Sequence, residues 1–103
     1  MRRAAKIDKT QPEIVAALRS VGATVQSLAS QGNGCPDLLV GFRGQNLLIE
    51  CKNGWLPPSG QELTDDQVAW HMAWRGAPVW VIRSADEAIA ALTGGKVEGM
   101  AQL

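Results

Sequence analysis

Three charged residues lie within two otherwise apolar segments of the chain. Asp37 opens the segment DLLVGF, and Glu50 and Lys52 lie at the end of the segment NLLIECK. Two carboxylates beside one ammonium group are costly to place on a half-buried sheet unless the charges are paired or bind a metal ion. Carboxylate oxygens suit Mg²⁺ or Mn²⁺, which keep several waters and bind substrate phosphate. The three residue types therefore indicate metal-assisted hydrolysis of a phosphodiester, with Lys52 holding or activating the attacking water or stabilising charge on the phosphorus.

The two apolar segments predict a β-hairpin that brings the three charges together. Residues 37–42 and 46–51 are separated by a short turn, which we place with its centre at 44–45, so that Asp37 lies opposite Lys52. Because side chains alternate along a strand, all three charged side chains project from one face, and the two carboxylates are diagonal neighbours within reach of a shared ion. The residues alone leave a structural alternative open, in which Asp37 and Lys52 form a cross-strand ion pair and the second carboxylate is solvated at an edge.

Helix and strand signals on both sides of the hairpin predict the elements that position it. Capping-box patterns predict helices that begin at residues 10, 64 and 84, and glycines at 22, 76 and 94 predict where they end. Apolar segments predict further strands at 23–28 and 79–82, and the loop at 53–60 must leave the sheet because its prolines cannot donate ladder hydrogen bonds. This order is typical of an α/β fold with a mixed sheet of about four strands flanked by helices.

The composition describes one small globular domain with no excess of either charge. The chain has 103 residues, of which 46% are hydrophobic and 19% charged, a length that suits a single domain. Ten Lys and Arg balance ten Asp and Glu, which excludes a histone-like polycation and argues against nucleic-acid affinity through bulk charge. A local basic patch is still compatible with this balance, and the first nine residues predict a flexible basic arm that carries Arg2, Arg3, Lys6 and Lys9.

Cysteine usage and hydropathy favour a cytoplasmic protein. Cys35 and Cys51 cannot form the disulfide framework of a small secreted domain, so we expect reduced thiols. No apolar segment approaches the roughly 20 residues of a membrane span, and the first residues lack the apolar stretch of a signal peptide. The two cysteines and His71 match no zinc spacing, and Cys51 points away from Asp37 in the predicted hairpin, so we do not expect a zinc site.

The motifs around the hairpin resemble those of a known nuclease family. Residues 35–37 (CPD) and 50–52 (ECK) are similar to the PD…(D/E)xK signature of the PD-(D/E)XK nuclease superfamily. The chain resembles in particular its VRR-NUC and Holliday-junction-resolvase-like branch, where a Gly-x-Pro-Asp-Leu segment, GCPDL at 34–38 here, precedes a hydrophobic hairpin that ends in Glu-x-Lys. In that branch a Gly- and Pro-containing loop leads to a helix opening with Leu-Thr/Ser-x-x-Gln, which matches LTDDQ at 63–67.

The resemblance, which covers about residues 10–92, implies a fold and an activity. The fold is a restriction-endonuclease-like core with the element order αβββαβα. It divides the chain into a basic flexible arm at 1–9, a nuclease domain at 10–95 and a C-terminal tail at 96–103. The activity is that of an endodeoxyribonuclease that uses Mg²⁺, with Mn²⁺ able to substitute, and that selects branched or junction DNA in a bacterial or phage-infected cell.

The resemblance also implies roles for the residues of the hairpin. Asp37 and Glu50 are expected to be metal ligands, with the backbone carbonyl of Cys51 as a third ligand. Lys52 is expected to be the catalytic lysine.

Two further site residues follow from the resemblance, and each has a structural alternative. Glu13 matches the acid that family members supply from the first helix as a further ligand or water positioner. Gln67 matches the helix glutamine that lies beside the site. Both residues also occupy the third position of a capping box, where the side chain reaches back to the N–H of the cap residue. The capping and site roles are compatible, since both residues are at helix starts.

DNA binding is expected from local features rather than from net charge. The predicted contacts are Arg2, Arg3, Lys6 and Lys9 of the arm, Arg43 at the hairpin turn and Trp55 in the following loop. Trp55 is also a predicted dimer contact, whereas the spacing of Trp70 and Trp74 predicts a packing stripe on a helix, and we expect a surface or packing role for His71.

Two hypotheses about function follow. The first is the nuclease, acting as a homodimer because one active site cuts one strand and a duplex or junction has two strands to cut. The alternative is a non-catalytic DNA-binding module that retains the nuclease fold, because fold alone does not prove activity. The presence of Asp37, Glu50 and Lys52 together favours the enzyme.

Overall fold

The computed structural model describes residues 9–94 and 101–102 of the chain. Arg2, Arg3 and Lys6 of the predicted arm, and most of the predicted tail at 96–103, lie outside these residues. No helix of the described part has the length and apolarity that crossing a membrane requires. The elements are α1 (Thr10–Ser20), β1 (Thr24–Ser27), β2 (Leu38–Phe42), β3 (Gln45–Cys51), a 3₁₀-helix (Pro58–Gln61), α2 (Asp65–Ala73), β4 (Trp80–Ile82), α3 (Ala85–Thr93) and β5 (Ala101–Gln102).

The strands form one mixed sheet in the order β1-β2-β3-β4-β5. The first three strands form an antiparallel meander, β3 and β4 run parallel, and β5 lies antiparallel at the edge beside β4. A parallel pair needs a crossover connection, which the Pro-rich loop and α2 supply. The predicted α/β class with a mixed sheet flanked by helices is confirmed. The short strand β5 is an addition, in a segment where no sequence signal predicts a strand.

One face of the sheet is covered by α1 and α3, which pack against each other and bury the hydrophobic core. Ile14 and Leu18, one turn apart on α1, are fully buried, and Leu38, Val40 and Ile49 meet them from β2 and β3. Because side chains alternate along a strand, the residues between these core positions face the other way. That second face carries the charged residues of the hairpin and is bordered by α2.

The hairpin turn contains two residues, Arg43 and Gly44. Their φ angles of 49° and 79° are both in the left-handed region, which the tight turn of a twisted two-residue hairpin requires. Phe42 consequently pairs with Gln45. The predicted turn centre at 44–45 is therefore wrong, because an arginine gives no sequence signal for the left-handed conformation that it adopts here.

The tighter turn changes the register but not the faces. Leu38 pairs with Ile49, so that the ladder, continued by one residue, sets Asp37 opposite Glu50 instead of Lys52. The shift from the predicted register is two residues, and the side-chain period of a strand is also two. All three charged side chains therefore stay on one face, as predicted, and the two carboxylates become direct rather than diagonal neighbours.

The predicted side-chain cap is present at α3 but not at α1. Ser84 Oγ accepts a hydrogen bond from Glu87 N at 3.1 Å, while the Glu87 carboxylate accepts one from Arg83 N at 2.9 Å. At α1 the N-cap residue is Lys9, no side-chain hydrogen bond caps the helix within the described residues, and Thr10 is buried at 5% exposure. The capping box predicted for α1 is therefore wrong, because Thr10 is already part of the first turn and its side chain is buried.

The loop before β2 passes close to the start of α2 at Gly34. Gly34 has a φ of 84°, and a Cβ atom at this position would collide with the backbone carbonyl of Asp66. Gly32, two residues earlier, has a φ of 65° and open space around it. The missing side chain at Gly34 thus allows the segment that leads into Asp37 to approach the first turn of α2.

We expect Gly34→Ala to lower the free energy of unfolding more than Gly32→Ala. Both changes place alanine at a positive φ, which costs about 1 kcal/mol. Only Gly34→Ala adds a clash, and overpacking of this kind costs a further 1–3 kcal/mol or so, about the cost of an inserted methylene in a packed core. Urea denaturation of both variants measures the difference, and equal losses would contradict the close approach between this loop and α2.

Candidate active site

Asp37, Glu50 and Lys52 meet at one end of two neighbouring strands. Asp37 immediately precedes β2, Glu50 lies in β3, and Lys52 follows β3. Backbone hydrogen bonds fix the two ends of this group: Asp37 O accepts from Leu28 N at 2.8 Å, and Lys52 N donates to Ile82 O at 2.9 Å. The sheet therefore holds the group between β1 on one side and β4 on the other.

The Asp37 carboxylate is held by the backbone of the neighbouring strand. Its Oδ2 accepts a hydrogen bond from Cys51 N at 2.7 Å. Lys52 Nζ lies 4.0 Å from Glu50 Oε2, and Glu50 is buried at 2% exposure. The structural alternative from the sequence, an ion pair of Asp37 with Lys52 beside a solvated Glu50, is therefore wrong.

Gln67, in the first turn of α2, joins the remaining two members of the group. Its Nε2 donates a hydrogen bond to Glu50 Oε2 at 2.8 Å, and its Oε1 accepts one from Lys52 Nζ at 2.9 Å. The amide thus satisfies a carboxylate and an ammonium group that are themselves only 4.0 Å apart. This contact fixes where the lysine head group lies relative to the two carboxylates.

The same amide also caps its own helix. Gln67 Oε1 accepts a hydrogen bond from Thr64 N at 2.8 Å, and Thr64 Oγ1 accepts one from Gln67 N at 3.2 Å, which completes the predicted capping box. The two uses that the sequence allowed for Gln67 are therefore combined in one side chain.

Glu50 has an oxygen that no donor satisfies. Its Oε1 is buried and has no hydrogen-bond partner among the described residues. Burial, followed by the negative charge of Asp37, raises the pKa of Glu50 to about 8, although the charge of Lys52 acts in the opposite direction. When one of the two carboxyl groups carries a proton, a hydrogen bond between Glu50 and Asp37 becomes available and raises this pKa further. Near neutral pH the pair therefore needs either a shared proton or a cation.

The donor set of this pair fits a hard divalent cation. Nowhere in residues 9–94 do three His, Cys, Asp or Glu side chains converge on one point. Mg²⁺ does not require such a cluster, because it usually keeps several waters and binds through one or two carboxylates and the substrate phosphate. Asp37 and the unsatisfied oxygen of Glu50 supply two such carboxylates, while the backbone carbonyl of Cys51 as a third ligand stays a prediction.

Glu13 is not brought to the carboxylate pair. It is exposed on α1, and the buried residues of α1 pack on the opposite face of the sheet. It forms no cluster of three with Asp37 and Glu50. Its side chain also lacks the predicted capping role, since no side-chain hydrogen bond caps α1 within the part of the chain that the structure describes. The described geometry thus supports neither of the predicted uses of Glu13.

His71 lies closer to the site than its sequence context suggests. It follows Gln67 by one helical turn, is 3% exposed, and neither ring nitrogen has a hydrogen-bond partner within the described residues. Burial, and then the charge of Lys52, lowers the pKa of His71, so the ring is neutral at neutral pH. The i, i+4 spacing from Gln67 is the one sequence signal for this placement. Burial agrees with the packing role that we predicted, but not with a surface role.

The predicted DNA contacts within the described residues are dispersed. Trp55, in the loop that follows Lys52, is 91% exposed. Arg43 lies over the Phe42 ring at 4.8 Å, in the turn at the other end of the hairpin from the carboxylates. Five residues of β2 separate that turn from Asp37, which corresponds to roughly 17 Å. Lys9 is exposed at the start of α1. Only Trp55 thus lies close to the site in sequence.

Trp70 of α2 packs on Trp74, which directly follows the helix, so the predicted contact is present but the two rings do not form a stripe within one helix. The Trp70 and Trp74 rings stack at a centroid distance of 4.7 Å and an interplanar angle of 14°. Trp74 is nevertheless 46% exposed. Cys35 and Cys51 form no disulfide within the described residues, and Cys51 packs against the core on the face opposite Asp37, as predicted.

Comparisons of the chain with protein-family models, with curated proteins and with solved structures found no match. The functional proposal below therefore depends on the geometry of the site and on the resemblance of its motifs.

We expect the free energy of unfolding, measured in EDTA, to fall as the pH rises from about 6.5 to 8. In this window the folded protein keeps a proton on Glu50, with its pKa of about 8, whereas the unfolded chain, with an ordinary value of 4.5, has lost it. The folded state therefore binds one more proton than the unfolded chain, and the free energy of unfolding falls by up to about 1.4 kcal/mol per pH unit. Below 6.5, His71 has the opposite effect, because its folded pKa is lowered and the unfolded chain takes up the proton first.

Urea denaturation at closely spaced pH values measures this profile. Glu50→Gln removes the slope between pH 6.5 and 8, whereas Glu62→Gln, at an exposed glutamate, leaves it unchanged. A flat wild-type profile across this window would contradict the raised pKa of Glu50.

Proposed function

We propose that the protein is a metal-dependent DNA endonuclease of the PD-(D/E)XK type, with a restriction-endonuclease-like core. The observation that carries the proposal is the convergence of Asp37, Glu50 and Lys52 at one end of the hairpin, with an unsatisfied carboxylate oxygen in the group. A buried carboxylate beside a half-buried one is expensive for a purely structural domain. The cost is explained if the pair binds a cation during catalysis.

Each residue of the site has a distinct task in this proposal. Asp37 and Glu50 hold Mg²⁺, or Mn²⁺ in its place, which when bound polarises the phosphodiester and lowers the pKa of a water. Lys52 Nζ uses one of its three donors on Gln67 Oε1 and directs the others at the attacking water or at a phosphate oxygen. The water loses one proton to solvent as it attacks the phosphorus, one P–O ester bond breaks, and the leaving oxygen takes up a proton from solvent.

Gln67 is a positioning residue in this mechanism. Its amide contacts both Glu50 and Lys52, so that it fixes the distance between a metal ligand and the lysine head group. Preorganised groups stabilise developing charge better than mobile ones, because they need no reorganisation during the reaction.

Branched or junction DNA is the proposed substrate, and a homodimer is the proposed active form. The zero formal net charge means that affinity for DNA comes from local contacts, for which Trp55 is the exposed candidate nearest in sequence to Lys52. One chain carries one site, so cutting both strands of a junction takes two copies. The proposed setting is a bacterial or phage-infected cytoplasm.

Cleavage of a labelled DNA panel tests the proposal. The panel contains a four-way junction, a flap, a linear duplex, a supercoiled plasmid and a single strand, each with Mg²⁺, Mn²⁺ or EDTA. We expect cutting that requires the metal and that falls by about a hundredfold or more in Lys52→Ala, the magnitude typical of removing one stabilising donor. Glu50→Gln is expected to abolish cutting, while Glu62→Gln, an exposed glutamate, leaves it intact. Binding without cutting, unchanged in Lys52→Ala, would favour the non-catalytic DNA-binding module.

A comparison of Thr64→Ala with Gln67→Ala separates capping from positioning. Both variants lose the capping box, which costs about 1 kcal/mol of stability. Only Gln67→Ala also removes the contacts to Glu50 and Lys52. We expect kcat to fall at least tenfold in Gln67→Ala with little change in KM, and to stay near the wild-type value in Thr64→Ala. Equal kcat values in the two folded variants would show that Gln67 serves only as a cap.

A further inference from the structure

A cavity of about 490 Å³ opens beside the carboxylate pair, on the same face of the sheet. Its floor contains Leu39 and Leu48 from β2 and β3, and its wall contains Trp70 from α2 and Trp74, which directly follows that helix. This volume falls within the range of about 300–1,000 Å³ that is typical of small-ligand sites. The core of the protein is on the other side of the sheet, so this cavity is separate from core packing.

The walls of the cavity suit a flat aromatic group. The two indole rings are stacked on each other, and the outer ring, Trp74, is 46% exposed. Leu39, opposite them on the sheet, is 37% exposed even though it lies in the middle of β2. A large aromatic surface and an apolar floor that face each other, both left open to solvent, are features of a binding cleft.

The polar groups of the cavity suit the edge of a nucleobase rather than a phosphate. None of the described residues that line it carries a charge. Two amide side chains, Gln31 and Asn46, are in the lining, and neither makes a side-chain hydrogen bond within the described residues. An amide offers both donors and an acceptor, which is what the Watson–Crick edge of an unpaired base requires.

One end of the cavity adjoins the catalytic group. Cys35 lines the cavity and precedes Asp37 by two residues. The Cys35 thiol is close enough to Glu50 and Asp37 that, after burial, their charges raise its pKa. A nucleotide whose phosphate is held at Asp37 and Glu50 therefore has this cavity within reach of its own base or of a neighbouring base.

We propose that the cavity binds one unpaired nucleobase of the DNA strand that is cut, stacked on Trp74 and contacted along its edge by Gln31 and Asn46. The proposal rests on the proposed nuclease function and specifies its substrate as DNA with an unpaired base next to the scissile phosphate. A base in intact duplex is stacked and paired, so it enters the cavity only at the cost of extrusion, which is smallest for a base that is already unpaired. Selection of branched or bulged DNA then follows from the cavity.

Equilibrium binding of three matched hairpin DNAs to the full chain in Ca²⁺, which takes oxygen ligands as Mg²⁺ does, tests the proposal, and a denaturing gel checks that the DNA stays uncut. The first hairpin carries a single-thymine bulge, the second an abasic nucleotide at the bulge, and the third is fully paired. We expect the wild-type protein to bind the thymine bulge about fivefold or more tightly than the abasic bulge, as one base stacked on an aromatic side chain provides.

Variants of the cavity test whether the cavity causes the preference for the thymine bulge over the abasic bulge. Trp74→Ala removes the stacking surface, and Ala77→Phe fills the cavity while keeping both indole rings. Each is expected to abolish the preference for thymine over the abasic bulge. Met72→Ala, which changes a 76% exposed residue of the same helix outside the cavity, is expected to keep it. If one variant fails to fold, the other still tests the proposal, because Trp74→Ala removes side-chain volume and Ala77→Phe adds it.

The other outcomes overturn the proposal in distinguishable ways. A protein that cuts the DNA panel but shows no preference for thymine over the abasic bulge overturns this inference and leaves the nuclease intact. A preference that persists in both cavity variants places the base elsewhere. If Trp74→Ala and Ala77→Phe instead dissociate a dimer in sedimentation and leave the base preference unchanged, a second copy of the chain covers the cavity. A chain that binds none of the hairpins and cuts none of the panel DNAs overturns both proposals.

Discussion

The burial of Glu50 beside Asp37 is the constraint on which the arrangement of the site depends. A carboxylate that is 2% exposed, with a second carboxylate opposite it, is unstable unless nearby groups compensate the lost solvation. The protein supplies three: Cys51 N for Asp37, and the Gln67 amide and the Lys52 ammonium for Glu50. One atom lacks such a partner, since Glu50 Oε1 has no hydrogen-bond donor among the described residues.

This compensation also explains how α2 is held on the sheet. Trp70 of α2 borders the cavity, and near the N-terminus of α2 the hydrogen bonds of Gln67 connect the helix to Glu50 and Lys52. Gln67 makes that connection and is preset for it, because the capping box with Thr64 orients the amide before it reaches Glu50 and Lys52. Gly34 completes the arrangement by letting the preceding loop approach the same turn of α2. The stability of this helix start and the geometry of the site are therefore coupled through one side chain.

The sequence predicts the face on which the charges meet better than it predicts their neighbours. Because side chains alternate along a strand, a register shift of two residues leaves Asp37 and Glu50 on the same face. The two-residue error in the predicted register therefore does not change that conclusion. The error arose at Arg43, whose left-handed conformation is imposed by the turn and is not a preference of arginine. The sequence likewise gives no signal for the burial of Thr10 and His71, because their burial depends on which tertiary surface covers them. The pairing of β5 with the edge of β4 is likewise a tertiary event, since a two-residue strand has no period to detect.

Charge at the site changes sign with its occupant, and this change connects the carboxylate pair to the neighbouring cavity. With both carboxyl groups ionised and Lys52 protonated, the group carries one net negative charge and repels a phosphate. A proton on Glu50 makes it neutral, and a divalent cation in place of that proton makes it positive, so only the cation-bound group attracts the DNA backbone. The described residues that line the neighbouring cavity are uncharged, so its lining does not change charge when the cation binds. In the proposed enzyme the cation therefore controls when the phosphate is bound, while the shape of the cavity and the indole of Trp74 control which DNA structure is bound.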